Sequence, residues 1–169
     1  MSQPDLDGPV KSTQVVITRF FNAPRELVFK TWTRADLLER WWSPRIFTTP
    51  VVRMDFRVGG SFVFCMRSPE GQEFWAKGEY LEIVEPERIV YRDFFVDADE
   101  NVIPPSAYGM ASDDPTPSLV TVTFKEENGG TRMTLRTDST VFTEQETRMA
   151  NQGWNEMFDK LDVLLAEQP

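Results

Sequence analysis

The strongest helix signal in the chain lies near its C-terminal end. Thr143 and Glu146 have the spacing of a capping box, which marks the start of this helix. We expect the helix to bury Trp154 against the rest of the protein. Gly153 weakens a helix by about 1 kcal/mol relative to alanine, which predicts that another part of the chain approaches the backbone closely there. The apolar stripe has helical spacing and consists of Ala150, Trp154, Met157, Phe158, Leu161, Leu164 and Leu165.

β-Strand patterns occupy most of the chain before this helix, in seven segments. Between residues 50 and 58, apolar and charged residues alternate, which predicts a half-buried strand. Gly78 precedes a change of phase in the fourth strand, so we expect a bulge or a bend there. Asn128–Gly129 predicts a tight hairpin turn between the last two strands. The alternation directs Met54, Phe56, Phe62, Phe64 and Phe74 toward the C-terminal helix and Arg53, Arg57 and Arg67 toward solvent.

Two short helices are predicted between the first and second strands. Pro24 stands in the first turn of one helix, and Ser43–Pro44 ends the other. The residues from 33 to 36 supply a capping signal for the second helix. Trp41 and Trp42 are adjacent and point to different sides of a helix, which predicts one buried and one exposed indole. This end of the molecule is therefore a candidate contact with a protein partner.

The segment from 97 to 117 is unlike the rest of the chain. It contains four prolines and an acidic run, and structureless loops of this length tend to be lids, binding loops or disordered segments. Its large side chains after the paired prolines are Tyr108 and Met110. Either these two side chains fold inward over a cavity, or they attach a solvated loop to the surface.

Charge and composition exclude several kinds of partner. A net charge of −9, from 27 acidic and 18 basic residues, repels nucleic-acid phosphates and anionic lipids. No segment approaches the roughly 20 apolar residues of a membrane span, and residues 1–13 lack the features of a signal peptide. The single cysteine, Cys65, allows no internal disulfide and suits a reducing compartment. We expect a cytoplasmic protein without a nucleic-acid partner or membrane insertion.

The absence of histidine restricts the chemistry that is available. It excludes Ser-His-Asp and Cys-His catalysis and leaves too few suitable ligands for a zinc site. Gly59–Gly60 lacks the Lys-Ser/Thr of a phosphate-binding loop. We therefore expect no metal and no cofactor, and no set of residues has the spacing of a known catalytic constellation.

An ordered set of short motifs covers nearly the whole chain, from about Val15 to Leu165. The motifs are Arg19–Pro24, Leu27–Phe29, Trp41–Trp42, Val58–Gly60, Gly78 with Glu82–Ile83, Pro86–Arg88 and Gly153–Trp154 with Leu161. Taken together, they resemble the homologues of the activator of the heat-shock-protein-90 ATPase (AHSA-like proteins), within the START-like, or SRPBCC, superfamily. The eukaryotic activator has a further N-terminal domain with a Trp-His-Trp motif, for which this sequence has no histidine.

The resemblance implies an α+β helix-grip fold. In this fold a curved seven-stranded antiparallel sheet wraps around a long C-terminal helix, two short helices follow the first strand, and an apolar cavity lies between sheet and helix. The pattern of strands and helices described above agrees with this architecture. We expect one such domain at residues 14–169, after a flexible tail at residues 1–13.

The leading functional hypothesis is a module that binds a small hydrophobic molecule in this cavity. The chain has 13 Phe, 5 Trp and 7 Met, enough large side chains to line a pocket as well as a core. Tyr91 could provide a polar contact, because a buried phenol usually finds a hydrogen-bond partner. The residues expected at the ligand site are Trp41, Met54, Phe64, Met66, Phe74, Tyr91, Tyr108, Met110, Trp154, Met157 and Phe158.

Two alternatives remain open. One is a cavity enzyme of polyketide cyclase or hydrolase type that uses Tyr91, Arg92 or Asp93, and a buried carboxylate with a strongly shifted pKa would favour it. The other is a protein-interaction, co-chaperone-like domain that acts through the Trp41–Trp42 end or the acidic surface. An exposed indole beside an apolar patch would favour this second alternative. In each case we expect a monomer or a homodimer.

Overall fold

A strongly curved antiparallel sheet surrounds one long helix in the computed structural model, which describes residues 13–167. The residues 1–12 of the predicted tail lie outside this range, and Thr13 opens the first strand. The elements are β1 (Thr13–Phe21), α1 (Arg25–Lys30), α2 (Ala35–Leu38), β2 (Thr48–Met54), β3 (Ser61–Arg67), β4 (Glu73–Val84), β5 (Arg88–Val96), a 3-10 helix (Pro105–Tyr108), β6 (Ser118–Glu127), β7 (Gly130–Ser139) and α3 (Glu144–Glu167).

The seven strands form one sheet in the order β1-β7-β6-β5-β4-β3-β2. Every neighbouring pair is antiparallel. The two short helices make the long connection between the edge strands β1 and β2, and α3 packs inside the curve. The predicted helix-grip α+β fold is therefore confirmed.

The concave face of the sheet carries the apolar side chains that the alternation predicts. Met54 pairs with Phe62, and Phe64 pairs with Ala76, so these side chains share the inner face. The predicted outward arginines are exposed. β2 ends earlier than predicted, at Met54, because the chain turns between Asp55 and Gly60. Phe56 still reaches the core from this turn, where its ring contacts Phe29 and Tyr80.

Gly78 has a different role from the one that the phase change predicts. The bulge in β4 lies after Tyr80, where the register with β5 shifts. At Gly78, the ring of Phe62 lies directly over the backbone, and an added Cβ would lie 2.2 Å from its Cε1 atom. Glycine is therefore required here because an aromatic ring occupies the space of a side chain.

The prediction that another part of the chain approaches the backbone closely at Gly153 is wrong. An added Cβ at this position would meet only Pro44 Cγ, at an ordinary contact distance of 3.6 Å. The predicted capping box is confirmed: the backbone N–H of Glu146 donates to Thr143 Oγ1 at 3.0 Å, and that of Thr143 donates to Glu146 Oε1 at 3.1 Å. The helix thus begins where the sequence predicts and tolerates its glycine without a packing reason.

The middle of α3 is fixed to the connection between α2 and β2. Lys160 Nζ donates to Ser43 Oγ and to the carbonyl oxygens of Pro44 and Phe47, at 2.9 to 3.1 Å. All three ammonium hydrogens thus have acceptors, which offsets the partial burial of the charge. This contact sets the position of α3 beside the tryptophans of the two short helices.

Both tryptophans after α2 are buried, so the expectation of one exposed indole is wrong. Trp41 and Trp42 are 0% and 2% exposed. They lie beyond the end of α2, in turns rather than on one regular helix, so their side chains need not diverge. The predicted cap of α2 is also absent, since Arg34 precedes the helix without a capping side chain.

Two glycine substitutions test these assignments. We expect Gly78→Ala to lower the free energy of unfolding by about 1–3 kcal/mol, because the new methyl group displaces the Phe62 ring from a packed core. Gly153→Ala should raise it by about 0.5–1 kcal/mol, because alanine favours the helix and meets no close neighbour. Urea unfolding measures both values. A neutral Gly78→Ala, or a destabilising Gly153→Ala, would contradict the packing described here.

Candidate functional site

An aromatic cluster fills the space between the sheet and α3. The segments that follow the two short helices contribute three indoles, and their ring centroids lie 4.8 to 5.4 Å apart. Phe62 and Phe64 approach from the sheet and Trp154 approaches from α3, each 5.3 to 5.6 Å from Trp42. We call this set the interior aromatic cluster. Its members are Trp32, Trp41, Trp42, Phe62, Phe64, Tyr80, Tyr91, Phe124, Trp154 and Phe158.

Two small cavities are lined in part by residues of β5, and the inner one is also lined by members of the cluster. The inner cavity, of about 10 Å³, is lined by Trp32, Leu38, Trp42, Phe62, Tyr80, Ile89 and Tyr91. The outer cavity, of about 30 Å³, lies where β5 meets the segment from 103 to 118 and the link between β7 and α3. A water molecule needs roughly 10–15 Å³, and a benzene ring has been accommodated in roughly 150 Å³. An aromatic ligand therefore fits only if side chains of the cluster move.

Unpaired polar atoms lie within this apolar interior. Within residues 13–167, the buried side-chain atoms without a hydrogen-bond partner include Trp32 Nε1, Trp42 Nε1, the Tyr91 hydroxyl and Asp93 Oδ1. The first three residues line the inner cavity. Trp41 differs, because its Nε1 donates to the carbonyl oxygen of Thr31 at 3.1 Å. Buried polar groups are normally paired, so the four unpaired atoms require an explanation.

Asp93 lies on the concave face, at the wall of the outer cavity. It pairs with Gly78 on β4 and with Ser118 on β6, in the same cross-strand row as Phe62. The residue as a whole is partly exposed, but Oδ1 is fully enclosed. Burial raises the pKa of this carboxyl from its ordinary value of 3.8 to about 7. The carboxyl is therefore close to half ionised at neutral pH.

Tyr91 precedes Asp93 by two residues on the same face of β5. The side chain is 1% exposed, and its ring lies 5.1 Å from that of Phe62. Burial raises the pKa of the phenol well above its ordinary value, and the nearby Asp93 and Tyr80 add to the effect. Tyr91 is accordingly a neutral hydroxyl that can donate or accept one hydrogen bond.

The segment from 97 to 117 covers the outer cavity, although not with the side chains expected. The Tyr108 hydroxyl donates to the carbonyl oxygen of Val96 at 2.7 Å and accepts from the backbone N–H of Trp75 at 3.0 Å. It thereby joins β4 to β5 where their pairing ends, and it attaches the loop to the sheet. Ile103 and Pro105, rather than Tyr108 or Met110, contribute to the cavity lining.

The eleven residues expected at the ligand site occupy different positions in the structure. Tyr91 lines the inner cavity, and none of the other ten lines either cavity. Trp41, Phe64, Met157 and Phe158 are buried core residues, whereas Met54, Met66 and Trp154 are partly buried against that core. Phe74 contacts the rings of Phe47 and Tyr108 near the start of β4. Met110 is partly exposed.

Trp32 and Trp42 are the site residues that sequence reasoning missed. Trp32 follows the end of α1 and lies four residues after Val28, so helical spacing could have identified it as inward-facing. The spacing gives no information about whether an indole N–H finds an acceptor. The sequence analysis names Asp93 only as a candidate residue of a cavity enzyme and not as part of the ligand site. Charged residues on strands usually face solvent, as Arg92 does here, so the pattern gives no reason to place Asp93 inside.

The curved sheet closed around α3 defines a helix-grip protein of the START-like superfamily. The model of one family within it, described as "Activator of Hsp90 ATPase homolog 1-like protein", matches residues 22–166. The chain belongs to this family. No curated protein matches the sequence.

Solved bacterial structures share this fold over nearly their whole length. A protein from Mycobacterium smegmatis is 26% identical, with a TM-score of 0.74 and coverage of 92% of both chains. A protein from Chromobacterium violaceum is 25% identical, with a TM-score of 0.77 and coverage of 92% of this chain and 98% of the other. An AHSA1 protein from Silicibacter pomeroyi, 20% identical, has a TM-score of 0.72, with 91% and 98% coverage.

Two further findings concern the described residues. No helix between residues 13 and 167 is long and apolar enough to cross a membrane. In the same range, no group of three or more Cys, Asp or Glu side chains could hold a metal ion. The unpaired polar groups of the described interior include three uncharged groups, of Trp32, Trp42 and Tyr91, and the carboxyl of Asp93.

The pKa of Asp93 predicts a dependence of stability on pH. Between pH 4 and pH 7 the folded protein holds a proton that the unfolded chain has lost, so the free energy of unfolding falls as the pH rises through this range. Asp93→Asn removes this effect. We expect the difference in free energy of unfolding between the variant and the natural protein to increase, in favour of the variant, by roughly 1–3 kcal/mol from pH 4 to pH 8.

Urea unfolding at several pH values measures this difference. Asp113→Asn, at an exposed position of the loop, is the matched control for the loss of one negative charge. A difference between Asp93→Asn and the natural protein that stays constant from pH 4 to pH 8 would show that the carboxyl is not held in an apolar environment.

Proposed function

We propose that the interior between the sheet and α3 binds a small, mainly apolar molecule that carries a hydrogen-bond acceptor. One observation carries this proposal: the indole N–H groups of Trp32 and Trp42 are buried without an acceptor, and both side chains line the inner cavity. An unpaired buried polar group costs about 1–3 kcal/mol. An acceptor atom of a ligand, placed beside these indoles, would remove that cost.

The ligand would enter by displacing Trp154. This residue is the member of the interior aromatic cluster on α3 that is only partly buried, and its ring stacks on Trp32 at 6.4 Å and meets Trp42 edge-on at 5.3 Å. Movement of its indole toward solvent would open a space the size of a ring next to the two unpaired N–H groups. An aromatic ligand would then replace the lost ring contacts.

The interaction-domain alternative loses its main support. It depended on an exposed indole at the Trp41–Trp42 end, and both side chains are buried. A protein partner at the acidic surface, a monomeric or homodimeric state and a cytoplasmic location stay predictions.

A cavity enzyme of cyclase or hydrolase type is the second candidate, and Asp93 favours it. A carboxyl with a pKa of about 7 can exchange protons at neutral pH, as a general acid or base requires. Tyr91 lies on the same face, whereas Arg92 is exposed on the other. Mass spectrometry of a bound compound before and after incubation distinguishes this candidate, because an enzyme changes the compound and a binding module does not.

Two compounds of similar size test the binding proposal. Benzylacetone has a carbonyl acceptor and butylbenzene has none, so we expect benzylacetone to bind about 3- to 10-fold more tightly, the value of one or two buried hydrogen bonds. Trp32→Phe or Trp42→Phe should reduce this preference, because each variant removes a donor. Isothermal titration calorimetry measures both dissociation constants.

Trp41→Phe is the matched control. It removes the same side-chain volume as the other two variants, but the N–H that it removes already donates to the carbonyl oxygen of Thr31. It should leave the preference unchanged. Circular dichroism confirms that each variant is folded. If neither compound binds, or if Trp41→Phe lowers the preference as much as the other two variants do, the proposal is wrong.

A further inference from the structure

Asp93 lies in the lining of the outer cavity. Among the described residues its side chain is the only charged one in the lining of this cavity, which is otherwise mainly apolar and includes the Thr116 hydroxyl. The apolar lining residues are Phe94, Phe95, Ile103, Pro105, Pro115, Val141 and Phe142. Ser118, its partner across β5 and β6, is a buried residue that adds a hydroxyl. The carboxyl thus lies in an apolar environment that has room for a small group.

Among residues 13–167, no cation compensates this carboxyl. Burial alone accounts for the shift in its pKa, without a contribution from any charged neighbour. The nearest basic residues along the sheet, Lys77 and Arg92, alternate to the other face. On the inner face, the titratable neighbours are the phenols Tyr80 and Tyr91, and the cavity residues from the loop and from the β7–α3 link are uncharged.

The carboxyl and the unpaired donors lie at a fixed separation. Tyr91 and Asp93 are two residues apart on one strand, a distance of about 7 Å between Cα atoms. Tyr91 lines the inner cavity together with the two indoles, and Asp93 lines the outer one. A molecule that spans both cavities would therefore meet hydrogen-bond donors at its inner end and a carboxylate at its outer end.

We propose that Asp93 forms a subsite for a protonated amine, so that the ligand of this protein is an aromatic or aliphatic compound with an ammonium group at one end. The inference rests on the proposed binding function. A buried carboxylate that lacks a counter-ion is unfavourable, and an ammonium group within hydrogen-bond distance provides both the opposite charge and donors. The apolar lining excludes water and strengthens this interaction.

The subsite makes ligand binding depend on pH. An alkylamine is protonated throughout the neutral range, whereas Asp93 ionises with a pKa of about 7. The amine would bind the ionised carboxylate, which is about tenfold more abundant at pH 8 than at pH 6. The affinity of a neutral compound of the same shape would not increase as the carboxyl ionises.

Phenylbutylamine, with a terminal amine, and phenylbutanol are the probes that test the subsite. By calorimetry in 0.15 M salt, we expect the amine to bind the natural protein about tenfold more tightly at pH 8 than at pH 6, and the alcohol to show no such increase. Asp93→Asn should abolish the pH response and the preference for the amine. Asp113→Asn, which removes one exposed charge, should retain both.

The outcomes separate the subsite from the binding function on which it rests. If both probes bind equally at both pH values, the ammonium subsite is overturned and the binding function stands. If the pH response persists in folded Asp93→Asn, the acidic surface causes it and the subsite is likewise overturned. If neither probe binds, and neither benzylacetone nor butylbenzene binds, the binding function fails together with the subsite.

Discussion

The packing of Trp32 against its aromatic neighbours is the interaction on which the rest of the structure depends. Its ring contacts two indoles of the same connection, Trp154 of α3 and Phe124 of the sheet. Each such aromatic pair adds about 0.5–1.5 kcal/mol beyond the burial of its surface. The short helices, the long helix and the sheet thus meet at one residue, and Lys160 holds α3 in place beside it.

The same packing leaves polar atoms in an apolar interior. A core that served stability alone would place phenylalanine where Trp32 and Trp42 stand, because phenylalanine buries an aromatic ring without an unpaired N–H. Trp41 shows that this fold can pair a buried indole, through the carbonyl oxygen of Thr31. The unpaired groups are local departures from good core packing, which proteins tend to retain at functional sites.

Periodicity along the chain could predict most of the fold and little of the candidate site. Repeats of 3.6 and 2 residues predict the α3 stripe and the inward row of β2 and β3, and the structure bears them out. The capping box of α3 follows instead from the residue types at Thr143 and Glu146. The sequence predicts the bulge of β4 at Gly78, but it lies after Tyr80, because the glycine at position 78 makes room for the Phe62 ring. The hydrogen-bond pairing of the buried indoles could not be predicted: Trp41 and Trp42 are adjacent in sequence, yet of these two only Trp41 has an acceptor.

The indole N–H signals of the five tryptophans test the central claim most directly. In a two-dimensional ¹H–¹⁵N spectrum recorded during titration with benzylacetone, the claim predicts that the signals of Trp32 and Trp42 move downfield as their N–H groups gain an acceptor. The signal of Trp41, already paired with Thr31, should stay in place. Unchanged signals of Trp32 and Trp42 at saturating benzylacetone would contradict the account.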